Sequence, residues 1–123
     1  MKKILIIDDD EQIRAFLSRS MDLAGFFVAT APDGKEGQQQ LTEQGFDLVI
    51  TDLIMPEKEG METITFIRKN FSETKVIAIS GGGRMGPETY LPAALELGAD
   101  RAFAKPFAMD KLLTAIRELL SND

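Results

Sequence analysis

Short apolar runs alternate along the chain with longer stretches in which apolar residues return every third or fourth position. The runs are Ile4–Ile7, Phe26–Ala29, Leu48–Ile50, Val76–Ile79 and Ala102–Ala104. The first four are rich in β-branched or aromatic residues, as strands buried on both faces are. The fifth is weaker and reads as a strand mainly from its place in the alternation. Between the runs, Ile13, Phe16, Leu17 and Met21 fall on one face of a helix. Met61, Ile64, Ile67 and Phe71 form a second stripe. Met109, Leu112, Leu113, Ile116, Leu119 and Leu120 form the cleanest third. The segment 34–44 has Leu41 as its only large apolar residue, with Asp33 placed to cap it. Gly37 inside it costs about 1 kcal/mol relative to alanine.

Gly25, Gly45 and Gly98 each follow a helical segment and precede a strand, the usual place of a glycine that ends a helix. Helix, glycine and strand repeated in this way make βα units. Five strands alternating with five helices predict an α/β fold, a parallel sheet covered on both faces. Ligands of such sheets sit beyond the carboxyl ends of the strands. Pro92 suits a helix interior badly, so the fourth helix is expected to start late and be short. No linker interrupts the pattern, and a single domain over residues 1–123 is expected.

Composition narrows the chemistry. The 123 residues contain no Cys and no His. Disulfides, thiolate metal sites and imidazole catalysis are thereby excluded. A phosphoryl group held covalently would have to ride on a carboxylate or a hydroxyl. The net charge is −6 and the cations are scattered, which argues against direct nucleic-acid binding. The first apolar run ends after four residues at Asp8-Asp9-Asp10-Glu11, where a signal peptide needs about 7–15. No stretch approaches the ~20 apolar residues of a membrane span. A soluble, cytoplasmic protein is expected.

The strand ends carry the reactive groups. The first run leads into Asp8-Asp9, the third into Thr51-Asp52, the fourth into Ser80 and the fifth into Lys105-Pro106. Three carboxylates gathered at one sheet edge repel one another unless a cation intervenes. Oxygen donors alone select a hard divalent ion, and Mg²⁺ takes one or two carboxylates, waters and a phosphate oxygen. Asp9 and Asp52 are therefore expected to hold Mg²⁺ directly, with Asp8 acting through water. Lys105 and Ser80 can each meet a phosphoryl oxygen, as suits phosphoryl transfer.

In order along the chain, Ile4-Leu5-Ile6-Ile7-Asp8-Asp9-Asp10, Asp52-Leu53-Ile54-Met55-Pro56-Glu57-Lys58-Glu59-Gly60, Ser80-Gly81 and Lys105-Pro106-Phe107 resemble the receiver domain of bacterial two-component response regulators. The resemblance runs from about Lys3 to the last helix. It implies a flavodoxin-like, doubly wound sheet of strand order 2-1-3-4-5. It implies that Asp52 is the phosphoacceptor and that Asp8 and Asp9 are the acidic Mg²⁺ pair, with the carbonyl of Ile54 as a further ligand. Ser80 matches the hydroxyl that moves toward the phosphoryl group. Lys105 matches the lysine that precedes a cis peptide to proline, and Gly60 would serve the loop after the third strand. The implied partners are a histidine kinase or phosphotransfer protein upstream and a partner protein or output domain downstream.

Plainer readings exist for each motif. Asp10 and Glu11 suit a helix N-terminus, where acids complement the dipole, and Asp8-Asp9 could extend the same run. Asp52 could be a turn cap, and Ser80 and Lys105 could be solvated surface residues. Two other functions use similar residues. An aspartate phosphohydrolase would make Asp8 the nucleophile, but the Asp-x-Asp-x-Thr pattern is missing its threonine. A docking module without phosphoryl turnover would lack an acid or the lysine, and both are present. One position departs from the family: the aromatic residue usual three before the lysine is Ala102, and Phe103 beside it points to the opposite face. With no ring to rotate, the Gly-rich segment 81–92 is expected to carry the conformational change.

Overall fold

The computed structural model describes residues 1–53, 59–81 and 87–121. Its strands are β1 (Lys3–Ile7), β2 (Phe27–Ala31), β3 (Leu48–Asp52), β4 (Lys75–Ser80) and β5 (Arg101–Ala104). They alternate with α1 (Glu11–Leu23), α2 (Gly34–Gln44), α3 (Glu59–Asn70), α4 (Pro87–Leu97) and α5 (Met109–Leu120). All pairings are parallel, in the order β2-β1-β3-β4-β5. This is the doubly wound α/β arrangement that the alternation predicts, and the strand order that the resemblance implies.

Alternation along the strands divides the interior in two. Leu5, Ile7, Val49, Val76 and Ala78 point to one face, where Leu41, Ile64, Ile67 and Ala94 from α2, α3 and α4 cover them. Ile4, Ile6, Leu48, Ile50, Ile77 and Ile79 point to the other and meet Leu17 and Met21 of α1 and the apolar stripe of α5. The three central strands are buried on both faces, which is why they read as continuous apolar runs. Each fully buried Leu or Ile contributes about 1.5–3 kcal/mol.

Local signals set the helix ends. Asp10 caps α1 by accepting from the backbone N–H groups of Gln12 (2.9 Å) and Ile13 (3.3 Å). Asp33 caps α2 by accepting from Glu36 N–H at 2.8 Å. Gly45 and Gly98 have φ of 68° and 121°, the left-handed region where a side chain is strained.

Three expectations are corrected. The second strand runs from Phe27 through Ala31, later than the apolar run at 26–29, because it pairs with β1 as far as Ile7↔Ala31. The fourth helix is neither late nor short: it spans Pro87–Leu97 with Pro92 inside. Pro92 lies in the second turn, where it forfeits one backbone bond to residue 88. Burial of Ala94 on β4 and β5 offsets that loss. Phe16 is 58% exposed. Ile13, Leu17 and Met21 form the i, i+4, i+8 line facing the sheet, and Phe16 stands about 100° round the helix from Leu17.

Gly37 turns from a weakness into a requirement. A Cβ there would lie 2.4 Å from Ile7 Cδ1, because α2 approaches β1 closely. Helix propensity alone favours Gly37→Ala by about 1 kcal/mol. Ile7 is fully buried and cannot swing clear, and overpacking costs about 1–3 kcal/mol. Gly37→Ala is therefore expected to lower the midpoint of urea unfolding; a raised midpoint would show that Ile7 yields without cost.

Candidate functional site

Because the strands are parallel, their carboxyl ends share one edge, and the register levels them. Ile7 pairs with Thr51, Asp52 with Ile79 and Ser80 with Ala104. Asp8 is the residue after β1, Asp52 and Ser80 are the last of β3 and β4, and Lys105 follows β5. The expected residues thus converge from four strands. The Lys105–Pro106 peptide is cis.

Lys105 Nζ stands between two carboxylates, donating to Asp52 Oδ2 at 2.9 Å and to Asp8 Oδ2 at 3.1 Å. Asp8 and Asp52 are 1% and 4% exposed, whereas Asp9 is open to solvent. One carboxylate oxygen from each of the three lies within 4.8 Å of the others. Burial pulls the Lys105 ammonium toward its neutral form. The hydrogen bond to Asp52 and the charges of Asp52 and Asp8 outweigh this, so its pKa rises above the ordinary 10.5. The lysine stays protonated and partly neutralises the acidic cluster.

Among the described residues, the donors that this cluster offers a metal are carboxylate oxygens, a set that fits a hard divalent cation such as Mg²⁺. Among the described residues, Asp8, Asp9 and Asp52 are the side chains that could hold it. Ile54, expected to add its carbonyl, lies outside the described residues, as do residues 82–86 of the Gly-rich segment.

The backbone around the cluster is tied down. Asp8 N–H donates to Ala31 O at 3.1 Å, Leu53 N–H to Ile79 O and Lys105 N–H to Ser80 O, both at 2.8 Å. Asp8 Oδ1 accepts from Asp10 N–H at 2.9 Å. Ser80 is fully buried. Ala102 packs on the α2–α3–α4 side and Phe103 on the α1–α5 side, beside Phe107. Phe103 therefore does not replace the aromatic residue missing at position 102. A groove lined by Ile13, Phe16, Leu17, Pro106 and Phe107 opens beside Gly81 and Lys105.

Sequence reasoning misplaced one residue here and missed another. Gly60 lies in the first turn of α3, not in the loop before it, and packs on the backbone of Asp52. Arg14 donates from Nη1 to the carbonyl of Asp8 at 2.7 Å. Its signal was available: a cation near a helix N-terminus opposes the helix dipole, so Arg14 asks for a local reason.

The response regulator receiver domain model matches residues 4–117. The transcriptional regulatory protein PrrA of Mycobacterium tuberculosis is 34% identical over 118 residues, covering 96% of this chain and 49% of that protein. The chain thus spans about half the length of this relative. The crystal structure of a response regulator receiver domain protein from Clostridium thermocellum superimposes with a TM-score of 0.89 at 31% identity, covering 98% of this chain and 95% of the other. The response regulator TrrA of Thermotoga maritima, solved in complex with Mg²⁺–BeF, gives 0.85 at 29% identity, covering 97% and 99%. With its strand order, its acidic cluster and its lysine, the chain belongs to the receiver domain family of two-component response regulators.

Proposed function

We propose that residues 1–123 form a receiver unit that accepts a phosphoryl group on Asp52 in a Mg²⁺-dependent reaction. The observation that carries this reading is the Asp52 carboxylate itself. It is nearly buried, hydrogen-bonded to Lys105, and within one cation's reach of Asp8 and Asp9.

The donor is the phosphohistidine of a histidine kinase or phosphotransfer protein. A carboxylate oxygen of Asp52 attacks phosphorus, the P–N bond breaks, and its electron pair stays on the imidazole. The product is an acyl phosphate on Asp52. Charge builds on the phosphoryl oxygens during transfer, so positioning and neutralisation dominate the catalysis. Mg²⁺, held by Asp9 and Asp52 directly and by Asp8 through water, would neutralise phosphoryl oxygens when bound. Lys105 contributes a fixed positive charge to one phosphoryl oxygen, and Ser80 its hydroxyl to another. The groove beside Lys105 gives a donor protein apolar surface on which to seat. The chain assists its own phosphorylation and dephosphorylation without acting as an enzyme on other substrates.

A changed surface then acts on a downstream protein, or on an output domain where the chain is part of a longer protein. The unit makes no direct contact with nucleic acid and works in the cytoplasm. Among the described residues no helix is long and apolar enough to cross a membrane.

Intact mass after incubation with acetyl phosphate and Mg²⁺ tests the reading. One added phosphoryl group is expected, and none in Asp52→Asn. An adduct that persists in Asp52→Asn would move the acceptor elsewhere. No adduct with acetyl phosphate or with a phosphorylated kinase domain would leave a docking module in its place.

A further inference from the structure

The turn that carries the acidic pair is gripped at both ends by one residue. Arg14 donates its side-chain Nη1 to the carbonyl of Asp8 at 2.7 Å. Its backbone N–H donates to the carbonyl of Asp10 at 3.0 Å. Between these two carbonyls stands Asp9, exposed, the member of the acidic cluster farthest from the rigid sheet. The carboxylates of its neighbours are already engaged: Asp8 with Asp10 N–H and Lys105, and Asp10 with Gln12 and Ile13.

The cation is poorly placed for α1, since Arg14 lies at the end of the helix's first turn, whose exposed N–H groups favour anions. A half-buried arginine spent on a main-chain carbonyl there has its effect on the turn. A charge-assisted hydrogen bond of this kind is worth roughly twice a neutral one.

We infer that Arg14 is a positioning residue for the divalent cation: it fixes the Asp8–Asp10 turn so that Asp9 presents its carboxylate to the ion. This rests on the Mg²⁺ reading above.

Charge and position predict opposite signs. A cation near the site repels Mg²⁺, so if charge were its only effect, Arg14→Ala would tighten binding. If Arg14 holds the turn, Arg14→Ala weakens it. Partners that orient metal ligands change metal affinity by about 10–100-fold in well-ordered sites. For an exposed carboxylate and a weakly held ion, the lower end, about tenfold, is expected. Arg14→Lys keeps the charge and one donor, and should recover most of the affinity.

Calorimetric titration with Mg²⁺ reads the affinity. Hydrogen exchange on the metal-free protein reads the turn, where the Asp10 amide, bonded to Asp8 Oδ1 at 2.9 Å, should exchange faster in Arg14→Ala while β1 and β3 stay protected. A wild-type protein that does not bind Mg²⁺ would defeat the metal reading itself. A wild type that binds, with Arg14→Ala binding equally or more tightly, would overturn the role of Arg14 alone. Unchanged exchange at Asp10 would overturn it too.

Discussion

Lys105→Ala is expected to lower the melting temperature of the metal-free protein by about 10 °C, the shift that corresponds to about 3 kcal/mol in a domain of this size. The reason is the company the lysine keeps. Its ammonium is bonded to two carboxylates that are 1% and 4% exposed. Removing it takes the ammonium away from two buried carboxylates, and breaking a buried ion pair from one side costs about 3–5 kcal/mol. The lower end applies because Asp9 and the lysine's own partial exposure let water approach. The sign holds over a wide pH range. The folded-state pKa of Lys105 is raised, so its contribution is complete below the unfolded value and is lost only as pH rises through the folded one, in alkali. On the Mg²⁺ reading proposed above, the ion would supply the missing charge and bind only the folded state. The mutant should therefore gain more from millimolar Mg²⁺ than the wild type does. Thermal scans of both proteins, with EDTA and with Mg²⁺, check this; equal melting in EDTA, or an equal gain from Mg²⁺, would sink it.

The same lysine shows where sequence reasoning stops. From the chain alone, Lys105 belongs at a strand end with a phosphoryl group as its counterpart. The fold reveals that it is also paired with Asp8 and Asp52, which makes it part of the stability of the fold. What was legible rested on local rules. Runs such as Ile4–Ile7 and Val76–Ile79 announce buried strands, Asp10 and Asp33 announce caps, and glycines at 45 and 98 announce helix ends. Those rules bring Asp8, Asp52, Ser80 and Lys105 to one edge before any coordinate is known. What was not legible depends on packing between distant segments. Phe16 and Leu17 are neighbours in sequence, and only the angle at which α1 meets the sheet decides which is buried. Pro92 breaks a propensity rule, and tertiary burial overrides it. A cation near the start of α1 flags Arg14, but only the fold shows that its partner is the Asp8 carbonyl.

Gly60 sets local propensity against packing most sharply, and Gly60→Ala is expected to destabilise the protein by about 1–3 kcal/mol and to slow phosphorylation of Asp52. Helix propensity predicts the reverse, a gain of about 1 kcal/mol for glycine to alanine inside α3. The Cβ decides the sign. It would lie 2.2 Å from the carbonyl oxygen of Asp52 and 2.6 Å from Cα of Leu53. These are backbone atoms, so no rotamer change relieves the contact. Nor can the strand retreat: β3 is paired with β1 and β4, and Leu53 N–H is held by the carbonyl of Ile79 at 2.8 Å. The start of α3 must move instead, and it moves against the residue proposed to take the phosphoryl group. Thr65→Ala supplies the control, on the exposed side of the same helix, where the hydroxyl bonds back to Met61 O. There propensity acts alone, and a small gain of a few tenths of a kcal/mol is expected. Urea unfolding of both variants, with the rate of acetyl phosphate labelling for Gly60→Ala, tests the argument. If Gly60→Ala raises the unfolding midpoint as Thr65→Ala does, or labels at the wild-type rate, then the close approach of α3 to Asp52 is not what holds the site in place.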